Sequence, residues 1–354
     1  MRIIQLSDIH LSDENHHELV HYHLPALIKD LRLQNQEQAI DMIIINGDLV
    51  DKGGKSLLSK FSGFTNPFEI FAQEFIMPLI NELGVNRNNL VFVPGNHDVD
   101  ESEILWMDEC FLSKEITHAN ISKHLNDNVD NFSSRNRLHN FKTFEENFTS
   151  TNPNYIYSPN QSTFIFEDEA KTYKIGFVLA NDSWRCRSGQ LADDTGKIFF
   201  GHQQLDHGLK VLEAANTDLN IFVSHHPLNT YAEQTAVERI LITKNFEMFL
   251  AGHVHRTKYD LLDNTVNRCI GFRARALLNR PDEPVATYQP GYSIIDIDHI
   301  SYTVRIMTRE YIYDQVRFDA DVRSFPGGAT QQIPLYREGR IMKTFGLKIN
   351  DFLS

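Results

Sequence analysis

The sequence predicts an α/β fold in which the strands of a parallel or mixed layered sheet alternate with helices. Short apolar runs alternate along the chain with stretches of helical character, which is the order that βαβ units produce. Five of these runs end in residue types that bind metals. Open α/β sheets build their sites in the crevice beyond the carboxyl ends of the strands, so the two observations agree.

Each of the five apolar runs is read as a strand that delivers an imidazole, a carboxylate or an amide at its C-terminal end. The runs cover residues 3–7, 42–46, 90–94, 221–224 and 246–251. They lead, in this order, into Asp8-Ile9-His10, Gly47-Asp48, Gly95-Asn96-His97-Asp98, His225-His226 and Gly252-His253-Val254-His255. A single group of this kind is explained by the preference of turns for glycine, aspartate and asparagine. Five in one chain predict a metal site.

One helix can be bounded from its ends. Asn66 is a suitable N-cap, Pro67 occupies the first helical position, and Gly84 stands at the C-terminal stop. Apolar residues recur between them at three- and four-residue spacing, which predicts a stripe that faces the core. These residues are Phe68, Phe71, Phe75, Leu79 and Leu83. Pro78 lies inside the helix and is expected to kink or break it.

The remaining segments are interpreted from their composition. Residues 101–160 are rich in Asn, Ser and charged side chains and predict a mostly helical insertion that caps the site or lies beside it. A strand is predicted at 174–180, a helix at 204–214, and a β-rich C-terminal part at 267–319. We therefore expect one domain over residues 1–320, followed by a linker and tail at 321–354.

The composition favours a globular intracellular protein. The 354 residues include 41% hydrophobic side chains, enough for a sizeable core, and no apolar run of 18 residues that would span a membrane. The net charge of −13 argues against binding to duplex nucleic acid through basic patches. We expect no signal peptide, because the first strand begins at the N-terminus. The three scattered cysteines fit a reducing compartment, so we expect a cytoplasmic location.

The metal-binding residues predict chemistry on a phosphate ester. Two metal ions ~3.5–4 Å apart supply a hydroxide nucleophile and neutralise the phosphoryl oxygens. Such a pair needs a bridging carboxylate and about three further ligands on each ion. The chain offers Asp8, His10, Asp48, Asn96, His225, His253 and His255. Because no cysteine is among them, the nitrogen and oxygen ligands suit Mn²⁺, Fe or Zn²⁺.

The five blocks resemble, in their order, the motifs of the calcineurin-like metallophosphoesterase family. The matching blocks are Asp-x-His, Gly-Asp, Gly-Asn-His-Asp, His-His-Pro and Gly-His-x-His, and they span residues 1 to about 255. The resemblance implies a four-layer α/β/β/α sandwich of two mixed sheets. It also implies a dinuclear site at the strand C-terminal ends, holding two divalent ions, with Mn or Fe/Mn favoured over Zn.

The resemblance also assigns roles to residues. It implies that Asp8, His10, Asp48 and His255 hold one ion. Asp48, Asn96, His225 and His253 then hold the other, so that Asp48 bridges. His97 faces the phosphate as general acid or transition-state stabiliser, and Asp98 orients it. His226 is expected to lie behind its neighbour rather than to bind metal.

Differences within the family favour its phosphodiesterase-type branch. Asp51 stands where secreted acid phosphatases of the family carry a metal-binding tyrosine. The block Gly-Asn-His-Asp replaces the Gly-Asn-His-Glu of the protein phosphatases, and no arginine lies near Asp48 in the sequence. Gln204-Leu205 precede His-His-Pro, as in that branch. We therefore expect hydrolysis of a phosphodiester, a cyclic nucleotide or similar nucleotide, by in-line attack of a metal-bridging hydroxide.

Three alternatives stay open. A metal-dependent nuclease acting on DNA or RNA would use the same metals, with strand contacts from a region around Arg135, Arg137, Lys142 and Arg185. A phosphomonoesterase would also share the site. A non-catalytic regulatory scaffold would instead dock a protein partner through the tail at 325–354.

Three other features are given ordinary structural interpretations. The cluster of His16, His17, His21 and His23 is expected to be a solvated loop or helix start. Residues 52–56 resemble a phosphate loop, but Leu49 stands where its first glycine belongs. Trp184 is expected to pack rather than to stack on a nucleobase.

Overall fold

Two seven-stranded sheets form the framework of the chain. A computed structural model describes residues 1–117, 119–127, 137–186, 198–264, 267–278 and 289–336. The strands are β1 Arg2–Leu6, β2 Met42–Asn46, β3 Leu90–Val93, β4 Tyr155–Ile156, β5 Gln161–Glu167, β6 Lys174–Ala180, β7 Leu219–Val223, β8 Met248–Ala251, β9 Lys258–Asp263, β10 Arg268–Arg273, β11 Gly291–Asp298, β12 Thr303–Ile312, β13 Arg317–Ala320 and β14 Ile333–Pro334.

The helices lie between these strands. The α-helices are α1 His16–Glu18, α2 Leu24–Glu37, α3 Lys55–Lys60, α4 Pro67–Phe71, α5 Met77–Leu83, α6 Trp106–Glu115, α7 Ile121–Asp127, α8 His139–Thr149, α9 Gln203–Ala215 and α10 Gln234–Thr243. Two π-helical segments, Leu19–His23 and Ala72–Ile76, join α1 to α2 and α4 to α5. The strand predicted at 174–180 and the helix predicted at 204–214 are confirmed as β6 and α9.

Both sheets mix parallel and antiparallel pairs. The first sheet has the order β13-β12-β11-β1-β2-β3, with β14 on β12, and the second has the order β4-β5-β6-β7-β8-β10-β9. In the first sheet β1, β2 and β3 are parallel, and in the second β6, β7, β8 and β10 are parallel. Parallel strands present their carboxyl ends at one edge of a sheet, which prepares both sheets to carry a site.

Three apolar layers confirm the four-layer sandwich. The first sheet faces the second through residues such as Ile44 and Ile221, which belong to one buried cluster. Helices α2, α4, α5 and α8 cover the other face of the first sheet. Helices α9 and α10 cover the other face of the second. Because both faces of β1, β2, β3, β7 and β8 are covered, these five runs are apolar throughout rather than alternating.

The helix predicted between Asn66 and Gly84 is confirmed, with one irregularity. The Asn66 side chain accepts a hydrogen bond from the backbone N–H of Phe68, and Gly84 ends the helix at a φ of 68°. Pro78 lies in the first turn of α5, directly after the π-helical segment, where its missing N–H is tolerated. The predicted disturbance is therefore a widened turn rather than a broken helix.

The described residues of the segment at 101–160 are mostly helical, and the last of their helices, α8, belongs to the core. Phe141, Phe144 and Phe148 of α8 pack against Phe68 and Phe92 in the layer under the first sheet. Helices α6 and α7 lie further toward the site, where Ile116, Ile121 and Leu125 pack around Trp184. The segment thus has a part that completes the sandwich and a part beside the strand ends.

The histidine-rich and C-terminal segments are ordered against the body. His16 to His23 form a helix start, which is one of the two expected alternatives. His17 and His21 are exposed, whereas His23 is buried and stacks on the Tyr311 ring. The C-terminal segment returns to the first sheet through β14, and the Asp321 carboxylate binds the Arg275 guanidinium. Residues 337–354 of the predicted tail lie outside the described residues. No helix in the described ranges combines the length and apolar character needed to cross a membrane.

Candidate metal centre

All seven predicted metal ligands come together at one edge of the sandwich. Asp8 and His10 follow β1, Asp48 follows β2, and Asn96 follows β3 in the first sheet. His225 follows β7, and His253 and His255 follow β8 in the second sheet. Six of the seven side chains are buried, and His253 is partly buried. The site therefore lies across the boundary between the two sheets.

The first group of donors surrounds His255. Its Nε2 lies 3.2 Å from Asp8 Oδ1 and 3.4 Å from His10 Nε2. His10 Nε2 also lies 3.7 Å from Asp48 Oδ2. These four potential ligand atoms are thus linked in a chain of short contacts. They form the set that sequence analysis assigns to one ion.

The second group of donors surrounds the Asn96 amide oxygen. Asn96 Oδ1 lies 3.1 Å from His225 Nε2 and 3.1 Å from His253 Nδ1, and the two imidazole nitrogens are 3.3 Å apart. Asp48 Oδ2 is 3.3 Å from His225 Nε2. The same Asp48 oxygen thus faces both groups, which is the position that a bridging carboxylate requires.

Buried side-chain amides of the first sheet form hydrogen bonds that reach the second sheet close to these donors. Gln5 Nε2 donates to Asn46 Oδ1, and Asn46 Nδ2 donates to the carbonyls of Ser224 and Leu250 in the other sheet. The Asn46 carbonyl lies 2.7 Å from His225 Nδ1 and accepts a hydrogen bond from it. That bond leaves Nε2 of His225 as the free lone pair, directed at the site.

Five of the seven residues have a left-handed backbone. The φ angles are 53° at Asp8, 51° at His10, 54° at Asp48, 69° at His253 and 52° at His255. Aspartate, asparagine and histidine are the non-glycine residues that populate this region most readily. The sharp turn at each strand end points the side chain back across the sheet edge, and the strain clusters at the site.

The protonation states suit metal binding. Burial lowers the pKa of His10 to about 3, and burial together with neighbouring imidazoles holds the pKa of His253 well below its usual value. Burial opposes ionisation of Asp48, but the imidazoles of His225, His97 and His10 outweigh it, so its pKa is well below the usual value. Burial opposes protonation of His225, but the Asp48 and Asp8 carboxylates outweigh it, so the pKa of His225 is raised. Neutral imidazoles and an ionised carboxylate are the forms that coordinate metals, so metal binding at His225 is expected to release a proton.

The residues present fit divalent metal ions. Asp8 Oδ1 is buried and accepts no hydrogen bond from the described residues. A buried carboxylate oxygen without a partner is costly, and a cation at the centre of the donors removes that cost. The donors are nitrogen and oxygen only, and four overlapping groups of His and Asp lie close enough to share an ion. The clusters therefore fit a dinuclear divalent site.

His97 stands beside this centre and is held by Asp51. Its Nδ1 lies 2.6 Å from Asp51 Oδ1, and its ring meets the His10 ring edge-on at 4.6 Å between centroids. This corrects the expectation that Asp98 orients His97. The Asp98 oxygens instead accept the backbone N–H groups of Val50 and Gly95, and so hold the loops that carry Asp48 and Asn96.

Gly95 lets the two loops approach each other at Asp48. A Cβ atom at position 95 would overlap Asp48 Oδ1 and the Asp48 backbone nitrogen, neither of which can move without disturbing the site. We expect Gly95→Ala to weaken metal affinity by ~10–100-fold, the usual effect of disturbing a ligand's support. Elemental analysis after dialysis checks this result.

A suitable control for that substitution is Gly84→Ala. Gly84 has a left-handed φ of 68°, but open space surrounds its missing side chain. This variant should lose ~1 kcal/mol of stability and keep its metals. Equal metal content in both variants would show that the Asp48 loop tolerates the displacement.

A further carboxylate at this edge, that of Asp182, belongs to none of the five sequence blocks. Asp182 follows β6, and its carboxylate binds the backbone N–H of His226 and the hydroxyl of Tyr231. The available signal was its place two residues after a confirmed strand, the same place that Asp8 occupies after β1. Its partner could not be found in this way, because it depends on the register between β6 and β7.

The basic residues that a nucleic-acid channel would need are engaged in ion pairs. Arg137 and Arg185 both bind the Glu109 carboxylate, and Lys142 binds Glu145 in the interior. Trp184 is buried and donates from Nε1 to the Phe199 carbonyl, as expected for a packing role. Arg135 lies outside the described residues.

Comparison with known proteins agrees with this geometry. The model of the calcineurin-like phosphoesterase family matches residues 1–257. The chain belongs to this family. The resemblance seen in the sequence is thereby confirmed.

Individual relatives of this metallophosphoesterase are distant. The uncharacterized metallophosphoesterase-like protein YydB of Bacillus subtilis (strain 168) is 21% identical over 272 residues, which are 75% of the present chain. The chain spans about half of the length of YydB, 51%.

The chain is also similar, at low identity, to solved structures. Zinc-bound Vps29 of Entamoeba histolytica is 11% identical, with a TM-score of 0.34 over 90% of this chain and 97% of that one. The NAD nucleotidase NadN of Haemophilus influenzae is 12% identical, with a TM-score of 0.44 over 96% of this chain and 50% of that one.

Proposed function

We propose that this metallophosphoesterase hydrolyses phosphodiester bonds at two divalent metal ions. The observation that carries the proposal is the position of Asp48 Oδ2, which faces His10 of one donor group and His225 of the other. In this proposal Asp8, His10, Asp48 and His255 hold one ion. Asp48, Asn96, His225 and His253 hold the second. Mn²⁺ or an Fe/Mn pair is favoured over Zn²⁺.

The metals and the protein have separate tasks. A bound pair of divalent ions acidifies water and neutralises the phosphoryl oxygens. The protein orders the donors on rigid strand ends and holds the loops together through Asp98. Rigid placement of this kind accounts for much of the catalytic effect when both reactants are bound in the right geometry.

His97 is the proposed proton donor to the leaving oxygen. Asp51 lies at its Nδ1, so Nε2 is the ring nitrogen that is free to face the substrate. The half-buried Asp51 carboxylate fixes the tautomer and the ring orientation, as in other carboxylate–histidine pairs. His97 thereby offers an N–H, or a proton, at a defined place beside the donors.

The preference for a diester rests on the charge around the strand ends. Three arginines near this edge are neutralised: Arg185 binds Glu109, Arg273 binds Asp260, and Arg275 binds Asp321. A phosphomonoester carries up to two negative charges and a diester only one. A site that commits these guanidinium groups to internal carboxylates suits the less charged substrate.

The proposal is tested by side-by-side hydrolysis of bis(4-nitrophenyl) phosphate and 4-nitrophenyl phosphate by the Mn²⁺-loaded protein. We expect a higher kcat/KM for the diester, with Asp48→Asn as the blank. A preference for the monoester would overturn the proposal and indicate a phosphatase whose substrate is selected by the segment at 101–160. A second screen with cyclic nucleotides and single-stranded oligonucleotides then separates a nucleotide diesterase from a nuclease.

A further inference from the structure

We propose that Asp182 is a positioning residue for the metal centre, which it serves by holding the two consecutive histidines that follow β7. The inference rests on the proposed function, because it takes His225 as a metal ligand. It goes beyond the predicted site, since Asp182 belongs to none of the five sequence blocks.

The strand register places Asp182 opposite His226. In the parallel pair of β6 and β7, Val178 lies across from Phe222 and Leu179 lies across from Val223. The same offset of 44 residues continues past the strand ends, where Asp182 Oδ2 accepts the backbone N–H of His226 at 2.7 Å. The contact is thus an extension of the sheet ladder by a side chain.

This backbone contact fixes the peptide that links the two histidines. The N–H of His226 belongs to the peptide bond that leaves His225, so its direction sets the backbone on which the His225 ring stands. The His226 carbonyl accepts from Ser224 Oγ at 3.0 Å and from the Tyr231 hydroxyl at 3.1 Å. In the turn after β7, both the N–H and the C=O of His226 are therefore held by hydrogen bonds.

The Tyr231 hydroxyl is a further hydrogen-bond donor to the Asp182 carboxylate. Its hydroxyl lies 2.7 Å from Asp182 Oδ2 while it also contacts the His226 carbonyl. Tyr231 is fully buried, and Asp182 is 1% exposed. An ionised carboxylate is kept in such surroundings only when several donors converge on it. Here the donors come from the turn after β7 and from Tyr231 just beyond it.

The second Asp182 oxygen sets the place of the His226 ring. Oδ1 lies 3.3 Å from His226 Nδ1, and Nε2 of that ring lies 3.9 Å from Cys186 Sγ. The ring is packed at 4.4 Å between centroids from the ring of His253. His226 therefore packs against the ring of His253, a proposed ligand. Asp182 thus acts on two proposed ligands, His225 through the backbone and His253 through this packing.

The test compares Mn²⁺ binding to metal-free wild type, Asp182→Ala and Asp182→Asn by isothermal titration calorimetry and elemental analysis. Loss of a ligand's support usually costs ~10–100-fold in metal affinity, and we expect this for one of the two ions in Asp182→Ala. Asparagine keeps an oxygen for the His226 N–H, so Asp182→Asn should recover most of the affinity. Two ions bound by Asp182→Ala with wild-type affinity would overturn the inference.

A milder pair of variants keeps the test decisive if Asp182→Ala does not fold. Tyr231→Phe removes one of the donors to Asp182, and we expect it to weaken one Mn²⁺ site by a few-fold. Tyr292→Phe is the matched control, because Tyr292 is equally buried and donates to the Asp30 carboxylate of α2, on the helix-covered face of the first sheet. Equal Mn²⁺ affinities for these two variants would contradict a positioning role for Asp182 and its donor Tyr231.

These measurements separate the inference from the proposed function. A wild-type protein that binds two Mn²⁺ ions but hydrolyses no diester refutes the diesterase proposal, and the affinity comparison still judges Asp182. A wild-type protein that hydrolyses diesters while Asp182→Ala binds both ions normally refutes only the role of Asp182.

Discussion

Asp48→Asn should abolish activity and release metal, because its carboxylate faces both groups of donors. Asp48 Oδ2 lies 3.7 Å from His10 Nε2 and 3.3 Å from His225 Nε2. Removing one partner of a buried charge pair costs ~3–5 kcal/mol, which corresponds to ~10²–10⁴-fold in affinity. Elemental analysis should find fewer than two ions per chain, and diester hydrolysis should fall to the background rate.

Asparagine is the appropriate replacement at this position. Asp48 has a φ of 54°, which asparagine adopts as readily as aspartate, so the backbone is preserved. Asp263→Asn supplies the control, because Asp263 is an exposed carboxylate at the end of β9 paired with Arg268. Circular dichroism should show both variants folded. Full activity and two bound ions in Asp48→Asn would show that the two donor groups do not share this residue.

His97→Ala should separate catalysis from metal binding. The side chain lies beside the donors but is held by Asp51 rather than by a shared ligand atom. Loss of a general acid typically costs ~10²–10⁴-fold in kcat, while both ions should stay bound. The measurement is kcat for the diester together with metal content on the same preparation.

Two further variants make the assignment of His97 specific. Asp51→Asn should lower kcat by a smaller factor than His97→Ala, because the imidazole remains but loses its carboxylate. His299→Ala is the control, since His299 stacks on Tyr173 in a turn remote from the site. An unchanged kcat in His97→Ala would remove this residue from the mechanism and leave Asp51 as a purely structural partner.

The proposed ligands could be found from the sequence because the signal for each is local. Each follows an apolar strand within a few residues, and after β2, β3 and β8 a glycine comes directly before the histidine, aspartate or asparagine. The helix from Asn66 to Gly84 was bounded for the same reason, since its cap and its stop are local signals.

The supporting residues could not be predicted because their roles depend on contacts between distant segments. Asp51 meets His97 across 46 positions, and Asp182 meets His226 across 44. Asn46 reads as one more buried strand residue, yet its amide joins the second sheet 178 residues away. Such partners are fixed by strand register and by how the two sheets face each other. Nothing in a window of neighbouring residues carries that information.

The left-handed backbone at five predicted ligands limits how this protein can change by mutation. Valine, isoleucine or threonine at Asp8, His10, Asp48, His253 or His255 would lose a ligand and also oppose the backbone turn. The substitutions that this backbone tolerates at these positions are therefore mainly to asparagine, aspartate, histidine and glycine. Most of these residues can still bind a metal. A descendant that has lost catalysis should carry asparagine or glycine there, and its strand ends should keep their shape long after the metals are gone.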